Sequence, residues 1–377
     1  MKIAINATTL LSPHAGVGTY TYQIAKNLKK LKPSHEYTYF YGYYSDRLLN
    51  PGEEPRSFQG IKETIRKIPL LGSLARNAND FLNYFSSRKF DLYFEPNFIP
   101  LRIPARRTVA TILDFSFELF PEWHPIDKVK YFKINFWNKI KKADRIICIS
   151  DFIRHEATAL FGFPEEKLVT IYLGVDHDIF KPYPPPELPE VRNRYRLPPQ
   201  FILFVGSIEP RKNLKGLLHA YKEFGNNFRE EFKLVLAGFQ GWKNEEVMGM
   251  IRKMEGSVQY LGYVPQIDLA KIYNLASIFV YPSFYEGFGL PPLEAMACGC
   301  PVVVSKAASL PEVCGDAAYY VDPEEVTSIA GGISKVLSNE ELRASQIKKG
   351  IAHADGFRWE KSAFQHLHIF EEVFRGE

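Results

Sequence analysis

Cysteine is scarce. Four thiols (Cys148, Cys298, Cys300 and Cys314) in 377 residues are too few for a disulfide framework at this length and read as reduced thiols in a cytosolic chain. Long apolar runs are missing too: no stretch approaches the ~18 consecutive apolar residues of a membrane-spanning helix. The opening MKIAINATTLL, interrupted by Asn6, Thr8 and Thr9, is too short and too polar for a secretory signal and reads instead as a first core strand. No self-similarity recurs at a period of roughly 20 to 50 residues, which excludes solenoids and propellers. The nine histidines show no H-E-x-x-H spacing, and neither G-x-S-x-G nor G-x-x-x-x-G-K-[ST] occurs. Zinc hydrolysis, serine hydrolysis and P-loop ATPase chemistry are therefore disfavoured. Cys298-Gly299-Cys300 has no His or Cys cluster to complete a four-ligand set, so no metal site is expected and these thiols should be buried.

What is present is a 46% hydrophobic chain, long enough for about two domains. Apolar, β-rich runs alternate with helical patterns throughout. In the first half they fall at 2–6, 37–42, 91–96, 108–113 and 145–150, and in the second at 201–207, 233–238, 258–262, 278–283 and 301–305. Runs this continuously apolar predict strands buried on both faces of parallel sheets, hence an α/β chain of two Rossmann-like, doubly wound domains. The boundary is marked by seven prolines between Lys181 and Pro199, a stiff connector that stops helices and denies strands their donors. The expected division is residues 1–181, a linker over 182–199, and 200–357. A last helix over 358–377, with Trp359, Ala363, His366, Ile369, Phe370 and Phe374 at helical spacing, either finishes the second domain or crosses back to the first. Ligands of open α/β sheets bind at the carboxyl ends of the strands, so the cleft between the domains is the expected site.

Charge is uneven. Residues 1–150 carry 23 Lys and Arg against 13 Asp and Glu, while the remainder carries 24 against 30. A basic first half suits an anionic partner: phosphate, nucleic acid or an acidic lipid surface. Lys128–Lys142 interleaves six lysines with Tyr131, Phe132, Phe136 and Trp137. Some of these aromatics belong to the core, and the lysines suit an anionic membrane face.

Four segments could carry chemistry. The sharpest is Tyr285 to Ala297, YEGFGLPPLEAMA, directly after an expected strand. Gly287 and Gly289 let backbone amides approach a ligand, and Pro291 and Pro292 can open a helix whose first turn favours an anion. Glu286 and Glu294 flank that turn; sugar hydroxyls would explain two carboxylates there, and so would a favourable placement in the helix dipole. The second is Ser207 to Asn213, where Arg211 and Lys212 can hold a diphosphate or stand exposed on a basic turn. In the third, Gly16-Val17-Gly18, a tight glycine turn could aim a helix N-terminus at the cleft, although GVGTYTY lacks the dinucleotide fingerprint. Finally, Asp114 ends a strand, where it can face a ligand or cap the following helix.

Together these segments resemble the retaining nucleotide-sugar glycosyltransferases of glycosyltransferase family 4, which have the GT-B fold. The resemblance is carried by the E-x7-E pair Glu286 and Glu294 within PSFYEGFGLPPLEAMACGCPVVVS. It is supported by GSIEPRKN at 206–213, LGYVPQIDLAKIYNLA at 261–276, SLPEVCGDAAYYVDP at 309–323 and LGVDHDIF at 173–180. It implies that Glu286 contacts hydroxyls of the donor sugar, that Gly287, Phe288, Gly289 and Leu290 approach sugar and phosphate, and that Glu294 binds the ribose. It further implies that Lys212 and Arg211 neutralise the diphosphate, that Gly16, Val17 and Gly18 approach the same phosphates, and that the base rests near Tyr263 and Val264. Two departures stand out. Ser207 occupies a position where many relatives have Arg, leaving Arg211 to take over. Leu113-Asp114 replaces a His-Asp pair, which leaves the role of Asp114 open.

The reaction so implied is hexosyl transfer from a nucleotide diphosphate sugar, retaining configuration and needing no metal cofactor. Glu286, Lys212, Arg211 and Asp114 are the catalytic candidates. Similarity to bacterial mannosyltransferases points to GDP-mannose as donor and to a lipid-linked or lipopolysaccharide acceptor at the inner membrane, with no nucleic-acid partner. The alternatives are a UDP- or dTDP-sugar donor, a GT-B phosphorylase or epimerase, and a non-catalytic sugar-nucleotide-binding module.

Overall fold

The computed structural model describes residues 1–11, 16–51, 53 and 88–376. Among these residues seven strands form the first sheet: β1 (Lys2–Asn6), β2 (Glu36–Phe40), β3 (Tyr44–Ser45), β4 (Phe90–Glu95), β5 (Ala105–Ile112), β6 (Arg145–Cys148) and β7 (Leu168–Thr170). Their order is β3-β2-β1-β4-β5-β6-β7, parallel except for the β2–β3 pair. The second sheet is wholly parallel, in the order β10-β9-β8-β11-β12-β13. It contains β8 (Gln200–Val205), β9 (Phe232–Ala237), β10 (Val258–Gly262), β11 (Ile278–Tyr281), β12 (Val302–Ser305) and β13 (Tyr319–Val321).

Every apolar run read from the sequence contains a strand. Ile3, Ala4 and Ile5 of β1, and all four residues of β11, are buried, as strands covered by helices on both faces require. Missing from that reading were β3, β7 and β13, which are edge strands of two or three residues. Such short pieces carry too little periodicity to register. All four cysteines are free and buried.

Residues 182–199 differ from the bare connector expected. They contain a helical turn at Pro185–Glu187 and a helix at Pro189–Arg194. Pro185 and Pro189 occupy the first helical positions, where no N–H is needed. Arg194 Nη1 and Tyr195 OH both reach Asp268 Oδ2 at 2.8 Å, fixing this segment to the second lobe.

Helix Trp359–Arg375 packs along helix Gly16–Leu31 of the first lobe. It buries Trp359, Ala363, His366, Ile369 and Phe370, whereas Phe374, counted in the apolar stripe, is 37% exposed. Glu377 lies outside the described residues. At the centre of the contact, Tyr20 OH lies 2.7 Å from His366 Nε2 and 2.9 Å from Thr111 Oγ1. His366 Nδ1 lies 2.7 Å from the Ser362 carbonyl, which can only accept, so Nδ1 carries the proton and Nε2 accepts from Tyr20.

Candidate active site

Three loops from the carboxyl ends of strands meet between the lobes: 113–116 after β5, 206–213 after β8 and 282–290 after β11. The lobes are in contact there. Ser150 Oγ donates to the Gly287 carbonyl at 2.8 Å, Phe115 N donates to Tyr285 OH at 3.1 Å, and Tyr285 OH donates to Glu156 Oε2 at 2.5 Å. Glu312 accepts from the Asp151 and Phe152 amides at 2.7 and 2.8 Å, capping a first-lobe helix with a second-lobe carboxylate. A Cβ on Gly287 would stand 1.8 Å from the Leu113 carbonyl oxygen, so only glycine allows this approach.

The charged residues converge, but as a compensated cluster. Glu286 is 5% exposed and Lys212 8%. Arg211 Nη1 lies 2.8 Å from Glu286 Oε2, Lys212 Nζ lies 2.7 Å from Glu286 Oε1, and Arg211 Nη2 lies 3.1 Å from Glu209 Oε1. Lys212 Nζ also donates to Tyr281 OH at 2.6 Å. Burial would raise the Glu286 carboxyl, yet Arg211 and Lys212 hold it down at about 2. Lys212 is shifted the other way: burial and the neighbouring Arg211 lower it against the pull of Glu286. Glu286 is thus an internal counter-ion of both cations, an arrangement included neither in the sugar-hydroxyl reading of the sequence nor in its helix-dipole alternative.

Local geometry fixes the cluster. Asn213 adopts a left-handed conformation (φ 52°) and accepts from Gly216 N at 3.1 Å, capping helix Leu214–Lys222. Its amide donates to the Pro282 and Pro323 carbonyls at 3.1 and 2.8 Å, tying the Arg211–Lys212 turn to the loop after β11. Ser309 Oγ lies 2.8 Å from both the Glu286 and Phe288 carbonyls. Asn213, Ser309, Glu209 and Tyr281 all escaped the sequence reading. Glu209 alone had a signal there, as an acid two residues before Arg211.

Helix Leu290–Ala297 follows Gly289, whose φ of 114° suits glycine. Pro291 and Pro292 lack N–H groups, so Leu290 supplies the donor of the first turn. Glu294, one turn on, has its carboxyl raised to about 7 by burial, and Tyr273 OH lies 3.4 Å away. Phe288 is buried, and Tyr263 and Val264 follow edge strand β10, the first half-exposed and the second buried. Ser207, partly buried, leaves β8 ahead of Glu209. Gly16, Val17 and Gly18 are the first turn of helix Gly16–Leu31, not a tight turn preceding it; glycine here starts the helix rather than bending the chain. Asp114 Oδ1 accepts from Ser116 N at 2.9 Å and Ser116 Oγ at 2.7 Å, so it organises the start of the next helix beside Gly287.

Among the described residues no group of three or more His, Cys, Asp or Glu side chains could hold a metal ion. A cavity of about 240 Å³, lined by Asp151, Tyr172, Phe357, Arg358 and Lys361 among others, lies at the crossing of the C-terminal helix, away from this cluster.

Two facing doubly wound sheets, with cations and carboxylates gathered at their strand ends, define a GT-B glycosyltransferase. Residues 14–179 match the profile of Glycosyltransferase Family 4, and residues 190–353 that of Glycosyl transferases group 1. The chain is 36% identical to O-antigen chain mannosyltransferase B of Escherichia coli, over 98% of this chain and 100% of that one. It is 32% identical to the serotype-specific mannosyltransferase WbdA of the same species, over 63% of this chain and 30% of the relative. Among solved structures it superposes on Anabaena HepE in complex with UDP-glucose (TM-score 0.72, 19% identity, 100% of both chains). Sucrose-phosphate synthase from Thermosynechococcus elongatus gives a TM-score of 0.71 at 18% identity, again over 100% of both chains. The chain belongs to the family 4 glycosyltransferases.

Proposed function

We propose that the protein transfers a mannosyl group from GDP-mannose to a growing lipid-linked or lipopolysaccharide O-antigen saccharide, with retention of configuration and without a metal cofactor. The reading rests on the buried Glu286–Arg211–Lys212 cluster at the strand ends, and on the mannosyltransferase names of the relatives for the sugar. Cleaving the glycosyl–phosphate bond puts positive charge on the anomeric carbon and negative charge on the leaving diphosphate. Arg211, Lys212 and the Leu290 amide stabilise that diphosphate in a water-poor setting, where such interactions are strongest. The acceptor hydroxyl attacks from the face the phosphate leaves, and a phosphate oxygen takes its proton. Glu286 holds the cations in place and, once the diphosphate draws them, its carboxylate accepts from sugar hydroxyls.

A panel of GDP-, UDP- and dTDP-sugars is the test, read as thermal stabilisation and as release of the nucleoside diphosphate. GDP-mannose should give the largest response, and the transferred mannose should keep its anomeric configuration by NMR. A stronger response to a UDP-sugar, or an inverted product, overturns the corresponding part.

Helix Ile126–Ile140 supports docking to an anionic bilayer. It buries Val129, Phe132, Phe136 and Ile140, while Lys130, Lys133, Lys141 and Lys142 are exposed around Ile134, which is 68% exposed. Apolar side chains flanked by lysines suit an interfacial helix. No helix of the described residues is long and apolar enough to cross a membrane.

A further inference from the structure

His124 lies on the first-lobe segment facing the charged cluster, and it is 5% exposed. Its ring stacks on Phe117 (centroids 4.0 Å apart) and lies 6.0 Å from Trp242 of the second lobe. Nε2 is 3.0 Å from Ser116 Oγ, which is itself 2.7 Å from Asp114 Oδ1. The short bond to a carboxylate takes the single serine proton, so Ser116 Oγ can only accept from His124, and Nε2 carries the hydrogen. Nδ1 is then a bare acceptor, and it is buried with no hydrogen-bond partner among the described residues. Asp114, Arg211, Glu209 and Lys128 are the charged groups felt by the ring, and burial lowers its affinity for a second proton. A buried acceptor without a donor is costly, and this one lies where the two lobes meet, against Trp242 of the second.

We infer that His124 Nδ1 accepts a hydrogen bond from a hydroxyl of a sugar bound between the lobes, with Asp114 and Ser116 as positioning residues that fix the tautomer. The inference rests on the proposed glycosyl transfer. The hydroxyl belongs to the donor sugar or to the acceptor saccharide, and the chemistry is the same for both.

Two isosteres separate this role from a structural one. His124→Asn places an amide oxygen near Nδ1 and leaves Ser116 bonded to Asp114 alone. His124→Gln reaches the Nε2 position, keeps Ser116 bonded and has no acceptor at Nδ1. Transfer by His124→Gln should fall by roughly tenfold or more in kcat/KM, with His124→Asn within roughly threefold of the wild type. Equal losses, or a larger loss in His124→Asn, overturn the role. A loss shared by acceptor-free hydrolysis of GDP-mannose assigns the hydroxyl to the donor; one confined to the acceptor KM assigns it to the acceptor. A wild-type enzyme that turns over no nucleotide sugar overturns the site reading itself, whereas undiminished His124→Gln turnover overturns only the part played by His124.

Discussion

Removing both partners of the Lys212–Glu286 pair should cost clearly less than the two single removals added together. At an effective dielectric of about 20, unit charges 2.7 Å apart attract by about 6 kcal/mol, most of which offsets their desolvation. Glu286→Gln leaves Lys212 Nζ buried with only Tyr281 OH at 2.6 Å. Lys212→Met keeps the volume but leaves Glu286 with Arg211 alone at 2.8 Å. Lys212→Met should cost the less of the two, because Arg211 still pairs with Glu286, whereas Glu286→Gln should destabilise by about 3–5 kcal/mol, the usual cost of stranding a buried charge. For a lobe of this size that is a drop of roughly 6–20 °C in unfolding midpoint. The double variant should cost at least about 2 kcal/mol less than the sum of the singles, because it strands no ion while Arg211 keeps Glu209. Calorimetry on the four proteins, with the two lobes resolved as separate transitions, measures the coupling. Strict additivity would refute the ion-pair account. Turnover is a separate readout: Lys212→Met should lose two or more orders of magnitude in kcat, and near-normal kcat would remove Lys212 from diphosphate stabilisation.

The other expectations concern how the lobes meet and where the protein docks. Gly287→Ala should abolish most turnover while both lobes stay folded by circular dichroism, since its Cβ would fall 1.8 Å from the Leu113 carbonyl oxygen; wild-type kcat would show that the contact is dispensable. Burial holds His366 at about 4, below the usual 6.5. The stability this contributes is present above pH 6.5 and lost as pH falls toward 4. Replacing His366 by Asn should flatten that part of a stability–pH profile, and an unchanged acid limb would refute the assignment. Reversing Lys130, Lys133, Lys141 and Lys142 to Glu should abolish salt-sensitive sedimentation with anionic vesicles. Equal sedimentation by the reversed protein would exclude that helix as the docking face.

The sheets were legible because their strands are continuous apolar runs, such as FVY within β11 and VVV within β12. The short edge strands β3, β7 and β13 were not, because two or three residues, such as the three of β13, show no period. The linker misled for a related reason. Proline reads as a breaker in sequence, but at Pro185 and Pro189 it stands where a helix begins. At the site, the four residues of the E-x7-E and Arg-Lys motifs were visible as residue types. The neutralisation of Arg211 and Lys212 by Glu286 was not, since local spacing cannot show that Glu286 lies 74 positions from Lys212 yet 2.7 Å from its ammonium. His124 belongs to no motif in the reading of the chain, and Ser309 opens the segment 309–323 without any role attached to it. Their importance comes from which atoms they face.

In the transfer we propose, the compensated cluster also bears on how catalysis is timed. Glu209 and Glu286 together balance Arg211 and Lys212, so the site holds its two cations at little net charge. A diphosphate entering between the lobes must compete with Glu286 for the same donors, so part of its binding energy goes into separating that carboxylate from Arg211 and Lys212. Negative charge grows on the diphosphate as the glycosyl bond breaks, and the cations then favour phosphate over Glu286 more strongly than in the ground state. That difference lowers the barrier, because only interactions that strengthen on the way to the transition state accelerate the reaction. Stronger binding of an intact donor would not serve the same end. A carboxylate pinned at a pKa of about 2 stays charged throughout the physiological range. The competition is therefore set by geometry rather than by pH.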